Sequence, residues 1–410
     1  MNATPPAGVG PSRRKRGALR LAVLVLTPFL SAAAIESVFR YCAWELNQQS
    51  LESAFTVLPE KSPSGRTRFI DIIEPHPDDH IIFELRPNYS GEYYAKKLTT
   101  NSFGFRGPEV SLQAQPGEVT VVGIGASIMF GHGVADGQDL LSLLGQGLNA
   151  AHPERTWRVI NTSVPSYNVV QKVETLRVKG LQFHPDLVVL EIASNNLDLP
   201  NYVRVEEDPF DWHRSFLLDF FREQQHVEMA TAERNAMLAS VNKDKLSWND
   251  KVASDPDKIP PRYRDLVGWG PFDKALDELK QMSEENGFEV VVVANLEVDL
   301  AGQMLDEARQ RGFATVSVMK DLQDYIRNHY HEEFTLDRYC RSELVVNKEN
   351  VHPSAFQHRM IAERLLREMS RSGMVDRLLA KVPAAAAAAA AGVGVGEQAQ
   401  PSTAASSSDR

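Results

Sequence analysis

A chain of 410 residues with 43% hydrophobic and 24% charged residues has the balance of a soluble globular protein, with room for one large or two ordinary domains. Its formal charge of -10 argues against a nucleic-acid surface, since phosphate binding needs basic patches and the dense one, Arg13-Arg14-Lys15-Arg16, stands at the amino terminus. Two cysteines, Cys42 and Cys340, are too few for a disulfide framework.

The basic cluster precedes the apolar run Leu21 to Ile35, "LAVLVLTPFLSAAAI", flanked by Arg20 and Glu36. This is the pattern of an export signal. The run is shorter than the roughly 20 residues that cross a bilayer, and Ala32-Ala33-Ala34 fits a small-x-small cleavage site, so one reading is a cleaved signal peptide. The preferred reading is an uncleaved anchor. Extension through Val38 and Phe39 restores spanning length, Glu36 and Arg40 then sit at the interface, and the basic cluster orients the rest outward. Both readings leave the main domain extracytoplasmic and make the membrane a partner through the amino-terminal helix. The expected division is an anchor segment at 1–40, a lead-in at 41–110, a main domain at 111–380, and a disordered tail rich in Ala, Gly and Ser at 381–410.

In the main domain the segments Glu118 to Ile124, Trp157 to Val164, Asp186 to Ala193, Glu289 to Leu296 and Ala314 to Met319 are β-branched and nearly continuous, as in strands buried on both faces. Between them, Val169 to Gly180, Phe272 to Asn286 and Leu300 to Arg311 carry helical spacing, with Gly180, Gly287 and Gly312 at the places of carboxyl-terminal caps. Alternating strand and helix predicts an α/β fold with a doubly wound parallel sheet. The stretch from about 199 to 263 breaks the rhythm with aromatics and charges, and reads as a helical insertion overhanging the site. Reactive groups in such sheets gather beyond the carboxyl ends of the strands.

Ser127 stands there, in "VVGIGASIMFGHGV", just past the first strand. Alone it is equally a helix-capping serine. A serine alkoxide needs a base, and the base needs an orienting acid. "NKENVHPSAF" offers both, since Glu349 and His352 stand three apart before a helix that starts near Ser354. Ser127, His352 and Glu349 form a candidate triad. Donors for an oxyanion come from the amides of Ser127 and Ser166 and the side chain of Asn195, which follow the first three strands.

At these residues the chain resembles the SGNH or GDSL-type hydrolases. The first block, Gly-Asp-Ser with a spaced Gly-x-Gly, is similar to Gly125-Ala126-Ser127 and Gly131-His132-Gly133. The glycine of the second block corresponds to Ser166, the Gly-x-Asn-Asp block to Ala193-Ser194-Asn195-Asn196, and the Asp-x-x-His block to Glu349-Asn350-Val351-His352. "NSFGFRGPEV", Asn101 to Val110, resembles the Asn-x-x-Gly-Phe-Arg lead-in of exported bacterial members. The resemblance spans about Leu85 to Met369. It implies a flavodoxin-like three-layer fold, a serine esterase acting on an acylated carbohydrate or other small ester, with acetyl a candidate acyl group, and no cofactor or metal. Ala126, Ser166, Ala193, Asn196 and Glu349 depart from the family pattern, so a binding module of the same fold without hydrolysis, or an acyltransferase, is the alternative. "EPHPDDH", Glu74 to His80, is similar to the zinc motif of sugar-amide deacetylases through His76, Asp78 and Asp79. It continues into "IIFELRPNYSGEYY" outside the alternating core, where a polar connecting segment is expected. His132 reads as a structural loop histidine.

Overall fold

Apolar residues run without alternation through the central strands because those strands are covered on both sides. A computed structural model describes residues 13–48, 55–57, 69–200, 202–204, 210, 212–213, 215–218, 220–221, 261–298, 300–348 and 350–382. The chain divides into two units, one of residues 1–61 and 201–240, the other of 62–200 and 241–410.

The second unit is built on five parallel strands: β1 (Glu118–Ile124), β2 (Thr156–Asn161), β3 (Leu187–Ile192), β4 (Glu289–Ala294) and β5 (Ala314–Ser317). Their order across the sheet is β2-β1-β3-β4-β5. This is the flavodoxin-like order, with its switch point between β1 and β3. The register pairs Ile124 with Leu190 and Ile192 with Ala294, so the carboxyl ends lie along one edge. One face of the sheet buries Val119 and Val121 under α1 (Leu140–Ala151), α5 (Met319–Tyr330), α6 (Ala355–Arg371) and α7 (Met374–Lys381). The other buries Val122 and Ile124 under α2 (Val169–Thr175), α3 (Trp269–Asn286) and α4 (Ala301–Gln310). The expected three-layer α/β/α fold is the fold observed.

Gly287 caps α3 in the left-handed region, φ 71°, as expected. Gly180 does not. The chain continues past it through a π-turn, Leu176–Gly180, and a 3-10 turn, and ends at His184 with φ 49°. A glycine at a helical φ of -79° is followed here by residues that keep turning.

The expected lead-in at 41–110 is divided between the two units. From residue 62 it belongs to the second unit, and two hairpins, Ile73–Pro75 with Phe83–Leu85 and Ser90–Tyr93 with Lys96–Thr99, precede a short bridge from Arg106 to Asn161 at the end of β2. The motif "NSFGFRG" explains the join. Asn101 Oδ1 accepts from the amides of Phe103 and Phe105 (3.0 Å each), Phe105 enters the core, and Arg106 is delivered buried to the loop after the first strand.

The first unit holds one long helix, Arg13–Gln48, and a short antiparallel pair, Phe55–Val57 with Tyr202–Arg204. Within the helix, Val23–Cys42 has a mean hydropathy of 1.5 over 20 residues, long and apolar enough to cross a membrane. The expected insertion at 199–263 is described only in part. Trp212, Ser215, Phe216, Leu217 and Phe220 pack on this helix at Glu36, Phe39 and Arg40, while the 3-10 turn Pro261–Leu266 belongs to the second unit. Within the insertion Leu199, Pro200 and the strand Tyr202–Arg204 are also described; residues 201, 205–209, 211, 214, 219 and 222–260, with 383–410 of the expected tail, lie outside the described residues.

Candidate functional site

β1 leads through Gly125 and Ala126 into a four-residue helix, Ser127–Phe130. A side chain at Gly125 would stand 2.5 Å from the Met129 Cβ, so only glycine lets the strand turn this tightly. The cap position is Ala126, and the capping reading of Ser127 fails: its Oγ lies 2.8 Å from His352 Nε2 instead.

His352 sits on a hairpin of Val345–Asn347 and Asn350–Pro353, two residues before Ser354, the cap of α6. Asn347 Oδ1 holds the amide of Asn350 at 2.9 Å. Asn350 Oδ1 then lies 2.7 Å from His352 Nδ1 and 3.3 Å from the His352 amide. Two donors converging on one oxygen assign the proton to Nδ1 and leave the Nε2 lone pair facing the Ser127 hydroxyl. Sequence reasoning chose Glu349, which lies outside the described residues. The signal for Asn350 was available, since residues two apart on a strand share a face.

A second imidazole lies over the first. His132, buried, has its ring centroid 4.3 Å from that of His352 and 21° from parallel, with Tyr93 and Tyr94 against its other sides. Burial, then the His352 and Arg106 charges, hold His132 well below the usual histidine range. Arg106 braces its loop by donating to the carbonyls of Phe130 (2.6 Å), Gly131 (2.7 Å) and Val134 (2.7 Å). On α6, both ring nitrogens of fully buried His358 lack partners among the described residues.

A buried ion pair supports the turn before Ser127 from the sheet side. Lys172 Nζ, on α2, lies 3.3 Å from Glu191 Oε2 on β3, with side chains 0% and 1% exposed. It also donates to the Glu191 carbonyl (2.7 Å) and to Asn196 Oδ1 (3.0 Å). Glu191 Oε2 accepts the amide of Ala126 at 2.6 Å, so this carboxylate holds the peptide just before Ser127. Asn196 Oδ1 in turn accepts the Ala193 amide at 3.3 Å. Burial lowers the Lys172 pKa, and Glu191 acts in the opposite direction. Neither Lys172 nor Glu191 was singled out from sequence. A charge inside an apolar strand, "LVVLEI", was the available signal.

The loop after β2 is pinned by the Val164 amide on the Gly125 carbonyl at 3.2 Å and by the Tyr167 hydroxyl on the Phe83 carbonyl. Ser166 within it has φ 72°, a left-handed conformation that favours glycine, the residue of the family pattern at this place. Asn195 lies in the 3-10 turn Ser194–Leu197 after β3. The expected site residues that are described thus stand beyond the ends of β1, β2 and β3 and on the hairpin before α6.

A cleft of about 200 Å³ opens beside Ser127 and His352. Ile128, Ile192, Leu296 and Val351 supply apolar walls, and Asn295 and Tyr339 supply polar ones. Gln357 fixes the latter two, accepting from the Tyr339 hydroxyl (3.0 Å) and donating to Asn295 Oδ1 (2.5 Å). Ser166 is not among the residues lining it. In "EPHPDDH", His76 Nδ1 accepts the Asp78 amide at 3.1 Å, and His80 Nε2 lies 2.8 Å from Asp265 Oδ2. Among the described residues no three His, Cys, Asp or Glu side chains converge as a metal site.

A doubly wound α/β domain with a serine hydroxyl against an oriented histidine at its switch point has the constitution of a serine-nucleophile site. No protein-family model and no curated protein matches the chain. Among solved structures it is similar to the lipase/acylhydrolase from Enterococcus faecalis at 13% identity, covering 61% of this chain and 95% of that one, with a TM-score of 0.35. It is similar also to an acetylxylan esterase from Geobacillus stearothermophilus at 15% identity, covering 62% and 95%, with a TM-score of 0.37. A third, an alpha/beta hydrolase from the metagenome of Lake Arreo, Spain, is 17% identical over 63% and 97%, with a TM-score of 0.36. These likenesses are remote, and the chemistry has to be read from the site itself.

Proposed function

We propose that the chain is an SGNH-type serine esterase, tethered to a membrane by its amino-terminal helix, that removes short acyl groups, acetyl among them, from a carbohydrate or other small ester on the extracytoplasmic side. The observation that carries this reading is the 2.8 Å contact from Ser127 Oγ to His352 Nε2, with Nδ1 held by Asn350. Ser127 Oγ attacks the ester carbonyl carbon while its proton passes to Nε2. Charge on the carbonyl oxygen is met by the amides of Ser127 and Ser166 and the Asn195 side chain, the donors assigned by the family resemblance. Collapse breaks the bond to the alcohol oxygen, which takes the proton from Nε2. Water, activated by the same nitrogen, then releases the acid. A second alcohol in place of water makes the reaction a transfer.

The small apolar cleft supports a short acyl group. The basic cluster before the apolar segment of the helix supports a tether with the folded part outside. The neutral amide of Asn350, which stabilises an imidazolium less than a carboxylate does, favours the second reading, a binding module without hydrolysis. Labelling decides between them. The proposed enzyme reacts with a fluorophosphonate at Ser127, releases acetate or nitrophenol from short-chain esters, and loses both properties in Ser127→Ala. A folded protein that resists the reagent and hydrolyses no ester is the binding module.

A further inference from the structure

The apolar helix poses a problem that its own sequence does not solve. Glu36 and Arg40 fall within the segment Val23–Cys42, where charged side chains are costly. The helix manages its hydroxyls internally, Thr27 donating to the Val23 carbonyl (2.6 Å) and Ser37 to that of Ala33 (2.7 Å). Its charges are managed by residues far along the chain. Glu36 pairs with Arg40 at 2.9 Å, and its oxygens also accept from the Ser215 hydroxyl (3.0 Å) and the amides of Phe216 (3.0 Å) and Leu217 (2.9 Å). The Arg40 guanidinium lies 5.3 Å over the ring of Trp212 and 5.1 Å over that of Phe216. The two charged side chains are left 19% and 16% exposed.

In water an isolated helix pair of this kind is worth little and needs no such enclosure. Among its described residues, the outward side of the enclosing segment carries large apolar side chains beside exposed His213. Trp212 is 83% exposed and Phe210 66%, Phe221, Leu218 and Tyr41 are exposed beside them, and Phe220 stacks on Phe39 at 5.5 Å. A polar interior with an aromatic exterior, continuous with a membrane-crossing helix, is the reverse of a water-facing surface.

We infer that the described residues of this segment, Phe210, Trp212, Leu218, Phe220 and Phe221 foremost, form an interfacial collar, lying in the headgroup and upper acyl layer of the bilayer that the amino-terminal helix enters. Tryptophan, tyrosine and phenylalanine prefer that layer because one edge meets hydrocarbon and the other meets water. The collar seals the Glu36–Arg40 pair from lipid and fixes the level at which the helix leaves the membrane. The occupant of this face is lipid, by continuity with the helix.

The inference rests on the membrane tether, and one experiment separates the two. Full-length protein and its Trp212→Phe variant are reconstituted in phosphatidylcholine vesicles, with and without lipid brominated in the acyl chain. Retention on the vesicles after an alkaline wash reads the tether, and the difference in tryptophan emission between the two proteins reads the collar. The emission of Trp212 is expected to lose most of its intensity to brominated chains and to be shielded from aqueous acrylamide. Protein washed from the vesicles overturns the tether and the collar with it. Protein that is retained, with Trp212 quenched by acrylamide and not by brominated lipid, overturns the collar alone. Crosslinking of two copies through a Phe221→Cys variant, with no lipid quenching, assigns the face to self-association and overturns the collar as well.

Discussion

The imidazole of His132 covers that of His352 almost in parallel, 4.3 Å between ring centres. Held neutral by burial, and next by the His352 and Arg106 charges, His132 offers a π face to the imidazolium that the proposed attack by Ser127 would form. It acts through His352 and is absent from the cleft lining. His132→Ala is expected to lower turnover roughly tenfold with KM little changed, because the base loses one wall of its seat. His132→Phe keeps the wall and recovers most of the rate. Steady-state kinetics on a short-chain ester compare the two.

Asn350 and Glu349 compete for the orienting role. Asn350→Ala removes the acceptor at Nδ1 and is expected to cost on the order of a hundredfold or more in turnover. Asn350→Asp keeps an acceptor, adds charge, and leaves turnover equal or higher. Glu349→Gln changes the rate less than Asn350→Ala. The reverse ranking in the same assay returns the role to Glu349.

The pair of Lys172 and Glu191 carries a stability prediction. Lys172→Met leaves a buried carboxylate without its cation and is expected to cost about 3–5 kcal/mol. Adding Glu191→Gln recovers a large part of the loss, since an amide needs no counter-charge. Urea denaturation of the single and double variants measures the coupling. Turnover falls with Glu191→Ala, which frees the Ala126 amide before the nucleophile.

Ser166 is held at φ 72°. A non-glycine residue there costs about 1 kcal/mol, so Ser166→Gly is expected to stabilise the fold by that order. The backbone amide survives the change, and turnover with it. Ser166→Val, β-branched and left-handed, lowers the denaturation midpoint instead.

His358 supplies the pH dependence. Burial first, then the Arg106 and His352 charges, pushes it down to about 3 from 6.5. Below about 6.5 the unfolded chain takes up a proton that the folded chain refuses until near 3. Stability is therefore lost as pH falls through this window, by at most about 1.4 kcal/mol per pH unit for one such group. His132 acts in the same direction. Urea midpoints are expected to fall from about pH 7 to about pH 5, and to fall less in His358→Leu.

By itself the sequence determined what local chemistry and periodicity decide. Five β-branched runs alternating with helical spacing prescribe a parallel sheet, because strands buried on both faces must be apolar throughout. Gly125 and Ala126 before Ser127 prescribe a tight turn at a strand end. Tertiary structure alone decided which side chains meet across long separations. At short range the sequence left a choice: spacing suggested Glu349 for His352, while the face shared by alternate strand residues places Asn350 Oδ1 at Nδ1. The stack of His132 on His352, the Lys172–Glu191 pair under the nucleophile turn, and the closure of residues 215–217 over Glu36 join residues from different elements. Periodicity assigns each of those elements its buried face. It does not say which partner a buried polar atom finds there, since that depends on how the faces pack.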